Sequence, residues 1–116
     1  AIEAHSFSAG IAPQTIEAKI VQDADRLDAL GSVGIARMFS VGGQLGRALA
    51  HPTDPLAQQR PLDDVTYTLD HIEVKLATLP ASMQTAAGRR LGEERMAWIR
   101  SFQAAFVQQW LPAATP

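Results

Sequence analysis

Ile16, Ile20, Leu27 and Leu30 fall on one face of a single helix within the stretch "IEAKIVQDADRLDAL". Steps of three and four return downstream at Leu62, Val65, Leu69, Ile72, Leu76 and Leu79, and helical steps return at Leu91, Trp98, Phe102, Phe106 and Trp110. Strand signals are poor, because period-two alternation is missing and β-branched residues never cluster between turn signals. This patterning predicts an all-α fold of about four or five helices.

Turn residues divide the pattern. Pro13 suits the first turn of a helix over about residues 15–30. Gly31 and Gly34 mark a break or a close crossing, after which "SVGIARMFSV" continues as a second helix. Residues 42–63 hold three Gly and three Pro and are expected to be mostly loop. A third helix is expected over about 64–79, ended by Pro80, and a fourth over about 82–111 with Ser82 as its N-cap. The aromatic residues of the last helix read as packing residues. The loop is longer than most connections, which makes it a candidate flexible lid.

With 116 residues the chain suffices for one small domain and not comfortably for two. Its 47% hydrophobic and 19% charged residues with a net charge of −2 are an ordinary globular balance. The ten Lys and Arg are scattered, so no nucleic-acid polymer is expected as a partner. No apolar stretch approaches the roughly 20 residues that span a bilayer. The absence of Cys excludes disulfides and thiol nucleophiles and fits a cytoplasmic setting.

Three aspartates, Asp23, Asp25 and Asp28, lie within this first helix. Asp23 has Lys19 four residues before it and Arg26 three after, which explains it as a locally neutralised carboxylate. Asp25 and Asp28 share a face with Val21 and Ala24 and have no cation at helical spacing. Two such carboxylates repel unless a cation arrives. That cation is either a Lys or Arg from another element or a metal ion with oxygen ligands, and spacing alone leaves both open.

At these residues the chain resembles the HD-domain metal-dependent phosphohydrolases, whose closing helix has the pattern "xxADRLxA" and supplies the last Asp of an H…HD…D metal set. The segments "HSFS", "IEAKIVQDADRLDALGSVGIAR", "GRALAHPTDPLAQQRPLDD" and "LDHIEVKLATLP" look like the C-terminal half of the bacterial YedJ-like branch. The resemblance implies an all-α bundle and a divalent ion (Mn²⁺, Mg²⁺ or another transition metal) that activates a water. It implies a nucleotide or other small phosphorylated substrate, hydrolysed at a phosphomonoester or pyrophosphate bond. By the same resemblance Asp25 is the metal ligand, Asp28 and His5 are supporting catalytic groups, and Arg37 meets the phosphate. The sequence has no His-Asp dipeptide, and its His residues are His5, His51 and His71. The other family ligands are therefore expected upstream, in keeping with an opening, "AIEAHSFSAG", that reads as the last turn of a helix.

His51 reads as a solvated loop residue and His71 as partly exposed beside the apolar stripe. "GGQLGR" carries glycines and a basic residue but lacks the strand and GK[ST] of a phosphate loop. A reading from another class stands beside the enzyme: a non-catalytic helical module whose apolar stripes pair with a partner chain or form a homodimer.

Overall fold

The structure, a computed structural model, describes residues 15–112. Its α-helices are α1 (Ile16–Asp28), α2 (Gly31–Gln44), α3 (His71–Val74) and α4 (Ala86–Trp110), with 3₁₀ turns at Thr68–Asp70, Leu76–Thr78 and Pro80–Ser82. Among the described residues there is no strand, only one isolated parallel bridge between Ala48 and Tyr67. His5 lies outside the described residues.

Thr15 caps α1, its Oγ1 accepting from the Ala18 amide at 3.0 Å, with Glu17 in the first turn and Arg26 in the last, each at the helix end that favours its charge. The expected break follows. Gly31 takes φ +83°, a left-handed conformation suited to glycine, and a Cβ on Gly34 would lie 2.3 Å from the Ala29 carbonyl oxygen. These two glycines let α2 turn tightly off the end of α1.

α4 packs against both α1 and α2. Leu30, Ile35, Leu69, Ile72, Leu76, Met96 and Ile99 belong to the core between them. Phe39 of α2 lies 6.0 Å, ring to ring, from both Phe102 and Phe106, so the aromatic run of α4 does pack. Leu91, Trp98 and Trp110, on the same run, stay substantially exposed.

Several expectations need correction. The stripe from Leu62 to Leu79 is not one helix: its first part pairs with the loop, Thr68 and Leu69 donating their amides to the carbonyls of Ala48 and Leu49 at 2.9 Å each. The rest is a short α-helix between 3₁₀ turns. Leu69, Ile72, Leu76 and Leu79 are buried, whereas Leu62 and Val65 (70% exposed) are not. Pro80 opens a further 3₁₀ turn instead of ending the segment, and the cap of the last helix is Thr85, not Ser82.

Asp23 is corrected most. It is 3% exposed, and Arg26 stands 4.0 Å away, at the limit of an ion pair. Its principal partners come from the start of α4: the amides of Gln84 (2.7 Å) and Thr85 (2.9 Å) and the Thr85 hydroxyl (2.6 Å) all donate to its carboxylate. On the same helix Ile16 and Ile20 are 58% and 55% exposed, so the α1 stripe buries only its C-terminal end.

Candidate functional site: two clefts that share Arg37

The tight α1–α2 junction places two clefts around α2. The larger, about 460 Å³, is lined by Asp28, Ser32, Arg37, Glu94, Arg95 and Trp98 among others. Asp28 ends α1, and Arg37 lies on α2 about two turns beyond Gly31. Both are exposed, and among the described residues no ion pair joins them. Arg95 is partly committed, donating from Nη1 to the Leu27 carbonyl at 2.6 Å. Trp98 stacks on Phe102 at 5.9 Å with the rest of its ring open to the cleft side of α4.

The smaller cleft, about 240 Å³, includes Arg37 again, with Arg47, Thr68 and His71 over an apolar base of Met38 and Leu76. "GGQLGR" brings Arg47 here. A Cβ on Gly42 would lie 2.2 Å from Thr68 Oγ1, so only glycine permits this approach, and the Arg47 amide then donates to the Gly42 carbonyl at 2.8 Å. His71 Nδ1 is 2.8 Å from Asp64 Oδ2, which fixes the plane of its ring.

The loop beside these clefts is stapled. Arg60 donates to both oxygens of Asp70, Nη1 at 2.6 Å and Nη2 at 3.0 Å, and the Asp63 amide adds a third bond at 2.8 Å. The Asp70 side chain has 0% exposure, and the bond to it, more than any other cause, raises the Arg60 pKa above its ordinary value. The Arg60 guanidinium lies 4.7 Å from the Tyr67 ring centre, and His51 meets the same ring at 5.1 Å. His51 is not merely solvated: its Nδ1 accepts from the amides of Thr53 and Asp54, and its carbonyl accepts from the Trp110 indole at 3.0 Å.

The structure thus brings Asp28 and Arg37 together, while Asp25, exposed on α1, lines neither cleft. Among the described residues no three His, Asp or Glu side chains are grouped so as to hold a metal ion. One or two exposed carboxylates do not fill the coordination shell of a divalent ion, so the described residues alone do not fit one. Arg47 and His71 are the cleft residues that sequence reasoning missed. The signal was the cluster of glycines before Arg47, read there only as a weak phosphate loop.

No family model matches the chain. YpgQ of Bacillus subtilis (strain 168), an uncharacterized protein, is 40% identical over 97 residues, 84% of this chain and 40% of that protein. The solved HD-superfamily hydrolase from Bacillus thuringiensis superposes with a TM-score of 0.70 at 41% identity, covering 83% of this chain and 47% of that one. The structure of Bacillus subtilis YpgQ in complex with ADP gives a TM-score of 0.68 at 37% identity, covering 87% of this chain and 47% of that one. The chain therefore shares the helical-bundle fold of an HD-superfamily hydrolase and of YpgQ, and it spans less than half the length of these relatives.

Proposed function

We propose that this chain is part of a metal-dependent phosphohydrolase acting on a phosphomonoester or pyrophosphate bond of a nucleotide. The observation that carries the reading is a single cleft lined by a carboxylate, Asp28, and a guanidinium, Arg37, that do not pair with each other. A cleft lined by both charges has groups for a proton and for a phosphate oxygen. The likeness to an HD-superfamily hydrolase supports the reaction class, and the ADP held by YpgQ supports a nucleotide.

In this reading Asp25 is one ligand of a divalent ion, Asp28 a supporting carboxylate and Arg37 the phosphate contact. His5 joins them from outside the described residues. The remaining metal ligands also come from outside the described residues, as the H…HD part of the family pattern. The reading places the enzyme in the cytoplasm. Its test is phosphate release from a nucleotide panel by the native protein with Mn²⁺ or Mg²⁺, with Arg37→Met beside it. A rise in KM of roughly tenfold, the worth of one charge-assisted contact, supports the reading. Nucleotide hydrolysis that is absent with every metal and substrate removes it.

The exposed Ile16 and Ile20 favour a second reading, a helical module that pairs with a second copy of itself. Light scattering of the native protein and of Ile20→Asp tests it: a dimer that the substitution dissociates supports self-association, and a monomer in both refutes it.

A further inference from the structure

The geometry points to a phosphoryl-binding pocket made by Arg37, Arg47 and His71, which takes the terminal phosphate or diphosphate of a small phosphate ester. That the ester is the hydrolase's own substrate rests on the function proposed above; the anion site itself does not.

Three observations carry it. First, the residues that line the 240 Å³ cleft include Arg37 and Arg47 and no Asp or Glu, and among the described residues neither arginine has a side-chain hydrogen bond or ion pair. Two arginines beside one cleft with no acid in its lining leave it positively charged, and an anion held by both gains charge-assisted bonds from each. Arg's planar fork suits a tetrahedral oxyanion better than a Lys ammonium does. Second, the acid paired with a lining residue is engaged there: Asp64 holds His71 Nδ1 at 2.8 Å, so it orients the imidazole instead of neutralising an arginine. Third, the cleft is smaller than the roughly 300–1,000 Å³ sites that enclose a whole small molecule, so it fits the charged end of a ligand. Because Arg37 also lines the larger cleft with Trp98, the rest of the ligand has room on the other side of that residue.

The test titrates the native protein with inorganic pyrophosphate in metal-free buffer at fixed ionic strength, by calorimetry. The same titration is made on Arg47→Met, Arg37→Met, Arg47→Lys and, as a charge-matched control on the exposed side of α4, Arg90→Met. Each Met variant in the cleft is expected to bind roughly tenfold more weakly or worse, Arg47→Lys to fall in between, and Arg90→Met to match the parent. Equal affinity in all five proteins, or an equal loss in Arg90→Met, means diffuse attraction and overturns the pocket. Hydrolysis separates the two proposals. Weakened binding in the cleft variants of a protein without hydrolase activity upholds the pocket and removes the enzyme reading. A nucleotide hydrolase whose KM is unchanged in Arg47→Met retains the enzyme reading and overturns the placing of its substrate's phosphate in this pocket.

Discussion

Thr85 gives both its amide and its hydroxyl to one oxygen of Asp23, at 2.9 and 2.6 Å, while its own Oγ1 accepts from the Gly88 amide at 2.9 Å. A carboxylate on α1 thereby anchors the first turn of α4, where free amides favour negative charge. Asp23 therefore holds the helix that carries Arg95 and Trp98 against the one that carries Asp25 and Asp28.

Gly88→Ala tests this anchor from the other side. A Cβ there would lie 2.3 Å from Asp23 Oδ2, and Thr85 Oγ1 is only 2.9 Å away, so the carboxylate must leave its bonds. The expected loss is about 1–3 kcal/mol in urea denaturation, the usual cost of overpacking a filled site. Asp23→Ala should cost a similar amount, and the double variant less than the sum, because both disrupt one contact.

Asp70→Asn breaks the buried pair that staples the loop, leaving the Arg60 guanidinium only the more distant Asp54 carboxylate at 3.9 Å. About 3–5 kcal/mol of destabilisation is expected. Limited proteolysis provides the local readout: residues 45–67 should resist cutting in the parent and become the first cleavage region in Asp70→Asn. Rapid cutting of the parent loop would show that the staple does not hold it and would revive the flexible lid.

Acid should weaken the fold in a defined window. Hydrogen bonds from the amides of Gln59 and Gln58 hold Asp54 below its ordinary 3.8, Thr66 does the same for Asp63, and Arg100 holds Glu73 below 4.5. Carboxylates with lowered folded pKa values add stability that is complete above their unfolded values and is lost as pH falls through the folded ones. The urea midpoint should therefore be level from about pH 7 to 5 and drop below about pH 4. Glu73→Gln should shift the parent's midpoint less at pH 3 than at pH 6, since at low pH the Arg100 pair is already failing.

How far the sequence reveals this molecule depends on the range of each contact. α1, α2 and α4 are legible because helical spacing is local, and the glycines at 31 and 34 announce the turn between α1 and α2. The stripe through Leu69, Ile72, Leu76 and Leu79 correctly marks buried residues, yet a 3₁₀ turn repeats every three residues and an α-helix every 3.6. Alternating steps of three and four cannot tell a single helix from a chain of short turns. Asp23 misleads for a different reason: Lys19 and Arg26 are visible along its own helix, whereas Thr85 is 62 residues away. Arg47 and His71 come to line one cleft with Arg37 through the tertiary approach of Gly42 to Thr68, which no spacing along the chain encodes. Asp28 and Arg37, named from a family resemblance, do share a cleft.

The most direct test of the hydrolase assignment is metal-dependent phosphate release from ADP and a panel of other nucleotides by the native protein, with Asp25→Asn measured beside it. If Asp25 is a metal ligand, the variant should lose at least the roughly 10- to 100-fold that changes around a metal's ligands cost, and it should need more Mn²⁺ to reach half its rate. Equal rates and equal Mn²⁺ dependence in the two proteins would contradict the assignment of Asp25 to a metal centre.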